Sequence, residues 1–354
     1  MAEYNIAVIA GDGIGPEVIG EGLKVLRAVA GRHDISWRFE EYPWGSDYYF
    51  QHGAMMPTDA LDTLANHDQV FLGAVGHPDL QDHVTLNGLL LPIRRKFDQY
   101  VCERPSVLYP GVESPLRDKK PGDIDIVVVR ENTEGEYAEV GGFQYAGFPE
   151  EIGLQTAVFT RRGCERVISH AFELAERRNG KRRVTSVTKS NALGYGMVVW
   201  DRAFEAVTSR YPNVETESLL VDAACMDFIR RPEDFDVVVG SNLFGDILTD
   251  IGAIITGSMG LAFSGNIDPE RRYPSMFEPV HGTAPDIAGR GVANPMATIL
   301  AGAMMLDHIG EAGAARQVHN ATQRVLADGA SLTPDLGGTS STSEVGNAVV
   351  AALG

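Results

Sequence analysis

The 354-residue sequence has no apolar run approaching the ~18 residues a membrane helix needs, so no membrane span is expected. Its opening, MAEYNIAVIAG, has no basic n-region, and its apolar run is too short for a secretory signal, which points to the cytoplasm. Cysteine is scarce. Cys102, Cys164 and Cys225 are odd in number and scattered, with neither a CxxC pair nor zinc spacing, so a disulfide framework is excluded and buried or inert thiols in a reducing compartment are expected. Positive charge is also in deficit. Lys and Arg total 30 against 48 Asp and Glu, a net charge of −18, which argues against nucleic acid or an anionic membrane as a partner. A small anionic substrate would need a local basic cluster to overcome that field. No G-x-x-x-x-G-K-[ST] occurs, because Gly180-Lys181 is followed by Arg182, so a P-loop kinase or ATPase is disfavoured. There are no repeats and no low-complexity tail.

What is present alternates between strand and helix. Ile6–Ala10 reads as a buried strand, and Pro16 marks a helix start, where a missing N–H costs nothing. Val18, Leu23, Val25, Leu26 and Val29 supply an apolar stripe at helical spacing. Ile35–Tyr42, Val70–Leu72, Ile126–Val129, Val184–Thr188, Glu217–Val221 and Phe235–Val239 read as strands. Arg162–Arg178, Arg316 to Ala327 and Glu344–Leu353 read as helices. This β–α alternation predicts an α/β fold. Pro110–Gly122 and Gly141–Glu151, rich in Gly and Pro, read as loops.

GDGIGPE, starting at Gly11, follows the first strand but is not a G-x-G-x-x-G fingerprint, since proline stands where the third glycine belongs. It is either a tight strand-to-helix turn or a turn whose N–H groups face a ligand. Arg94 and Arg104 lie in LPIRRKFDQYVCERP, and Arg130 ends IDIVVVR, at the usual ligand edge of an α/β sheet. Three planar guanidinium forks suit a dicarboxylate, although surface ion pairing would also account for each one. In FDVVVGSNLFGDILTDIG, Asp246 and Asp250 share one face of a helix, and Asp222 ends ESLLVD. Three carboxylates at strand ends suit a hard divalent cation. The plainer reading of Asp246 is an acid at a helix start, which leaves Asp250 unexplained. Tyr137 in RENTEGEY and Lys189 in VTKSNALGYG are either proton-transfer groups or ordinary surface residues. MFEPVHGTAPDIAGRGVANP reads as a binding loop between helices.

Together these motifs, from GDGIGPE to ANP, resemble the metal-dependent β-decarboxylating dehydrogenases, the isocitrate/isopropylmalate dehydrogenase family. The resemblance implies an isopropylmalate dehydrogenase-like two-domain fold, not a standard Rossmann fold. Residues 1–100 and 255–354 would form the first domain and residues 101–254 the second. It implies a homodimer with shared active sites, in which Lys189 and Asp222 reach into the partner's site. Asp222, Asp246 and Asp250 would ligate Mg²⁺ or Mn²⁺. Arg94, Arg104 and Arg130 would hold the substrate carboxylates, with Tyr137 and Lys189 as the proton-transfer pair. Ile14, Asn191, His281, Gly282, Thr283, Ala284, Asp286 and Asn294 would bind the cofactor. Asp286 stands where NADP-dependent isocitrate relatives carry lysine, and a carboxylate there favours NAD over a 2′-phosphate. A monovalent cation such as K⁺ is a further candidate.

The implied reaction takes hydride from C2 of a small dicarboxylate 2-hydroxy acid to NAD. Lys189 accepts the hydroxyl proton, CO₂ is lost, and Tyr137 protonates the enolate. In the loop before Arg94, TLNGLLLPIRR, Gly88 and Leu90 replace the Ser and Asn of the isocitrate pattern, so a third carboxylate is disfavoured. Asn87 departs from both the Glu of isopropylmalate enzymes and the Trp of tartrate/malate enzymes. RRKFDQY, RENTEGEY, FTRRG and SNLFGDILTD resemble the tartrate/D-malate branch, so D-malate or tartrate is the expected substrate and 3-isopropylmalate the alternative. A catalytically silent, metal-binding relative is the alternative of another class.

Overall fold

The computed structural model describes residues 2–354. Twelve strands are present among them: β1 (Ala2–Gly11), β2 (Ile35–Glu41), β3 (Gln69–Ala74), β4 (Val101–Val107), β5 (Asp125–Glu131), β6 (Gly141–Gln144), β7 (Ile152–Gln155), β8 (Arg183–Thr188), β9 (Glu215–Leu220), β10 (Val237–Gly240), β11 (Phe263–Ile267) and β12 (Ser275–Pro279). The chain folds as two compact units. The first comprises Met1–Gln99, Pro105–Ile124 and Ala253–Gly354, and the second Tyr100–Arg104 and Asp125–Gly252. The segment 105–124 therefore belongs with the termini rather than with the middle of the chain, where the sequence reading put it.

In the first unit the strands run β2-β1-β3-β12-β11, parallel except for the antiparallel β11–β12 pair. The helix Gly15–Ala30 carries Pro16 in its first turn and buries Val18, Leu23, Val25, Leu26 and Val29, the stripe that the spacing predicts, together with Ile19. The helix Met296–His308 is buried along most of its length, as expected for an element apolar on every side.

In the second unit the order is β4-β5-β10-β8-β9, with β5, β10, β8 and β9 paired in parallel. Val127, Val128 and Val129 lie level with Val237, Val238 and Val239. β-branched side chains fill both faces of the pleat, which explains why neither run alternates with polar residues. The same register sets Gly240 beside Arg130. Arg130 therefore comes level with the start of the helix Asn242–Ile255, which carries Asp246 and Asp250.

Four expectations need correction. The strand ending at Leu220 stops before Asp222, which lies in the first turn of the helix Val221–Arg230, where the dipole favours an acid. TLNGLLLPIRR is helical rather than a loop, with a π turn at Leu86–Leu90 leading into the helix Leu91–Lys96. Gly141–Glu151 is not all loop, because Gly141–Gln144 pairs with Ile152–Gln155 in an exposed hairpin. MFEP belongs to β12, so the binding loop begins at Val280.

The opening turn explains its own glycines. A Cβ on Gly11 would lie 2.0 Å from the Ala74 carbonyl oxygen, and one on Gly13 2.1 Å from that of Thr283. The chain's own backbone packs against both glycines, so neither position has room for a side chain. Gly11→Ala adds a side chain at φ +71 against a carbonyl oxygen. It is expected to lower stability by about 2 kcal/mol or more in urea unfolding followed by circular dichroism, and a loss below about 0.5 kcal/mol would contradict this account.

Candidate functional site

Asp246 organises the second unit. Its carboxylate accepts hydrogen bonds from Arg104 Nη1 at 2.8 Å, from Arg130 Nη1, and from the Tyr137 hydroxyl at 2.9 Å. Arg104 Nη1 also reaches Thr249 Oγ1 at 2.9 Å. Arg130 Nε and Nη2 donate to Asn242 Oδ1 at 3.1 and 2.7 Å, and its guanidinium lies 5.4 Å from the Tyr137 ring centroid. Arg104 and Arg130 are buried. Burial works to raise the Asp246 pKa, but the Arg130 and Arg104 charges outweigh it and hold the carboxyl below its ordinary value. Asp246 is the fifth residue of its helix, so the reading of it as a helix-start acid fails. Burial and the Asp246 charge push the Tyr137 phenol up against the pull of Arg130, which keeps it protonated at neutral pH.

Other residues of the same stretches fix these groups. A Cβ on Gly245 would lie 2.6 Å from Arg130 Cβ, so only glycine leaves that arginine its place. Glu136 accepts from Ser241 Oγ at 2.7 Å and from Leu243 N at 3.2 Å, tying the Tyr137 loop to the start of the helix Asn242–Ile255. Asn242, Gly245, Thr249 and Glu136 are absent from the sequence reading. Asn242, Gly245 and Thr249 do lie at helical spacing around Asp246, and that was the available signal.

Asp250 lies one turn beyond Asp246 with no hydrogen-bond partner among the described residues. Partial burial and the Asp246 charge raise its pKa. Lys189 and Asp222 form an ion pair, and that lysine holds Asp222 below its ordinary value. No group of three or more His, Cys, Asp or Glu side chains placed to hold a metal occurs among the described residues. Within one chain, then, Asp246 and Asp250 come together and Asp222 does not join them. Asn191, two residues after Lys189, is exposed.

In the first unit, Arg94 is 3% exposed and donates from Nη2 to Glu278 Oε1 at 2.9 Å. Leu90 packs against an apolar cluster that includes Met55, and Asn87 is exposed. Ile14 is buried in a small cluster with Val18 and Ala293, against Ala284, Ile287 and Ala288, so its side chain packs against the loop 280–295. Its N–H donates to the Thr283 carbonyl at 3.0 Å. His281 Nε2 is buried without a hydrogen-bond partner. Ala284 sits at φ +40, an uncommon conformation for a residue with a side chain. Gly282 opens onto free space, and Asp286 is exposed.

Residues 5–349 match the family described as isocitrate/isopropylmalate dehydrogenase. The chain belongs to that family. Among curated relatives, it is 51% identical to a probable tartrate dehydrogenase/decarboxylase of Agrobacterium vitis, over 100% of this chain and 98% of the relative. It is 50% identical to a D-malate dehydrogenase (decarboxylating) of Escherichia coli, over 99% and 98%. Among solved structures, an isocitrate dehydrogenase from Methylococcus capsulatus superposes with a TM-score of 0.88 at 36% identity, covering 99% of both chains. The α/β, isopropylmalate dehydrogenase-like fold expected from the sequence is the fold observed. No helix among the described residues is long and apolar enough to cross a membrane.

One buried acid beside the site has a measurable signature. Glu131, next to Arg130, accepts bonds from Thr133 N, Thr133 Oγ1 and Glu134 N, yet burial raises its pKa to about 7. A carboxyl with a raised folded pKa favours folding most when protonated. That stability is full below the ordinary value near 4.5 and is lost as pH rises towards 7. Glu131→Gln mimics the protonated form and should gain on the wild type by up to about 3 kcal/mol between pH 4.5 and 8. Urea unfolding of both proteins across that range checks this, and a pH-independent difference would refute it.

Proposed function

We propose that this protein is an NAD-dependent, divalent-metal-dependent dehydrogenase that oxidatively decarboxylates a malate-type 2-hydroxy acid, D-malate or tartrate. The observation that carries the reading is the gathering of Arg104, Arg130 and Tyr137 on Asp246, with Asp250 one turn away. Two guanidinium groups and two carboxylates sum to zero charge. A divalent cation would bring that to +2, which matches a dicarboxylate dianion. The donor set fits the ion, because it is all oxygen and because Asp250, beside the Asp246 charge, is the carboxylate that the two arginines leave least compensated. The nicotinamide dinucleotide fits the loop after β12. There a buried His281 nitrogen lacks a partner, Gly282 is open, and the exposed Asp286 carboxylate suits a ribose 2′-hydroxyl and repels a 2′-phosphate.

When bound, the cation supplies Lewis acidity to the hydroxyl and carbonyl oxygens, and the nicotinamide supplies the hydride acceptor. The protein's own groups do the rest. Arg104 and Arg130 hold the substrate carboxylates, Lys189 takes the C2 hydroxyl proton, and Tyr137, kept protonated by its surroundings, gives its proton to carbon once CO₂ has left. The substrate class is supported by the two relatives named for tartrate and D-malate, each about half identical to this chain. Gly88 adds a reason against a third carboxylate. A Cβ there would lie 2.5 Å from Met55 Cγ, so a serine hydroxyl has no room at that position without moving a buried methionine. In a side-by-side assay of NAD reduction with Mn²⁺ and K⁺, D-malate or L-tartrate should give the highest kcat/KM. A tenfold advantage for 3-isopropylmalate, about 1.4 kcal/mol of transition-state preference, would overturn the assignment.

A homodimer completes the reading. The hairpin β6–β7 exposes Phe143 (73%), Phe148 (66%) and Leu154 (59%), and the helices bearing Asp222 and Asp246 expose Met226, Ile229, Ile247 and Ile254. So much apolar surface calls for a covering partner. A second copy would bring its Lys189 and Asp222 to the Asp246–Asp250 pair. Replacing Phe143, Phe148 and Leu154 together by serine should give a monomer by light scattering and reduce kcat/KM by at least about a hundredfold. A fully active monomer would refute the shared site.

A further inference from the structure

The hairpin β6–β7 leaves the chain just after Tyr137 and returns through Gln155, a residue outside every motif discussed above. Its two ends are pinned together before and after that tyrosine. Gly135 N donates to the Val158 carbonyl at 2.8 Å, Val158 N to the Gly135 carbonyl at 3.0 Å, and Thr156 N to the Val140 carbonyl at 2.7 Å. Between those pins, Gln155 Nε2 donates to the Ala138 carbonyl at 2.7 Å and to the Glu136 carbonyl at 3.3 Å. One side-chain amide thus bridges the residues on either side of Tyr137. Gln155 lies level with Gly141, and a Cβ on Gly141 would lie 2.0 Å from the Leu154 carbonyl oxygen. Glycine there keeps the strands close where Gln155 reaches back across the base of the hairpin. The Glu136 side chain meanwhile holds the start of the helix Asn242–Ile255, through Ser241 Oγ and Leu243 N. The peptide carrying Tyr137 is therefore held from two sides, by the helix of Asp246 and by the returning strand.

We propose that Gln155 is a positioning residue for proton transfer, clamping the peptide that aims the Tyr137 phenol. This rests on the reading of Tyr137 as the acid. The phenol gives its proton to the carbon that CO₂ has left. That carbon's electron pair forms the new C–H bond, and the phenolate oxygen regains a proton from solvent. The ring is a long lever: a tilt of about 10° at its Cα moves the hydroxyl by about 1 Å, and an error of that size in a reacting group carries a large kinetic penalty. Asp246 fixes where the hydroxyl rests, whereas Glu136 and Gln155 fix the backbone from which the ring springs. An amide suits the clamp, since its NH₂ supplies a proton to each carbonyl. A carboxylate of the same shape would set an oxygen against both. Gln155 is exposed, so replacing it leaves the core untouched.

The test is stopped-flow and steady-state NADH formation by the full-length protein with NAD and Mn²⁺, in H₂O and in D₂O. The substrate is whichever of D-malate and L-tartrate turns over faster. Gln155→Ala should lower kcat by about tenfold and leave the hydroxy-acid KM within about twofold. The first turnover of NADH should keep the wild-type rate, because hydride leaves before the proton is needed, so a burst appears. D₂O should slow the variant's kcat more than it slows the wild type's. Gln155→Glu should lose at least as much, and Gln155→Lys, which restores a donor, should recover most of the loss. In a Tyr137→Phe background, Gln155→Ala should cost nothing further. Wild-type kcat in both the alanine and glutamate variants, a first turnover slowed as much as kcat, or losses that add to that of Tyr137→Phe would overturn the proposal. Tyr137→Phe alone separates the two ideas. If it lowers kcat and Gln155→Ala does not, the clamp fails by itself; if it leaves kcat and the D₂O effect at wild-type values, the acid reading fails as well.

Discussion

The second unit depends on one anion shared by two buried cations. Asp246 lies against Arg104 and Arg130, both less than a tenth exposed. A buried guanidinium without a counter-charge is costly, and two side by side would be worse. The carboxylate makes their coexistence tolerable without cancelling them, since one negative charge faces two positive ones. Its other oxygen receives the Tyr137 hydroxyl. A single side chain therefore sets the arginine forks and orients the phenol, and with Asp250 one turn on it would present carboxylate oxygens to the proposed cation.

The backbone makes that arrangement reproducible. Aligned valine triplets in β5 and β10 fix the register. The register puts Arg130 level with the turn into the helix of Asp246, and Gly245 leaves the arginine its volume. Glu136 and Asn242 then join the Tyr137 loop to the same helix start. Each link is an ordinary interaction with a magnitude of about 1 kcal/mol. Their value lies in converging on one carboxylate, because small displacements of catalytic groups carry large kinetic penalties.

Much of this was legible in the sequence, for physical reasons. Continuous β-branched runs favour strands covered on both faces, and in a helix Asp246 and Asp250 at i, i+4 share one face. The family followed from long motifs in a fixed order. What stayed hidden was mostly relational. Nothing local indicates that Val221 starts a helix instead of ending a strand, since ESLLVD reads equally well either way until tertiary packing decides. The π turn at Leu86–Leu90 has no composition signal, and TLNGLLL was read as loop for that reason. The resemblance alone marks Ile14 as a cofactor residue, and its packing with Val18 and Ala293 against Ala284, Ile287 and Ala288 shows only in the fold. The hydrogen bond from Asn294 to Asp335 was out of reach, because the two lie 41 residues apart and only the folded first unit unites them.

The separation of Asp222 from Asp246 and Asp250 follows from the same physics. Three carboxylates around two arginines in one chain would leave the metal-free cluster with one uncompensated negative charge. Here Asp222 is instead paired with Lys189 on an exposed helix turn, where solvent screens both. A chain built this way folds with each of these two clusters near charge balance. It would complete a cation site only when apolar surfaces such as the β6–β7 hairpin bring a second copy's Asp222 and Lys189 to that pair. Assembly and activity would then be one event, and the exposed phenylalanines of the hairpin would be as much a part of the active site as the arginines.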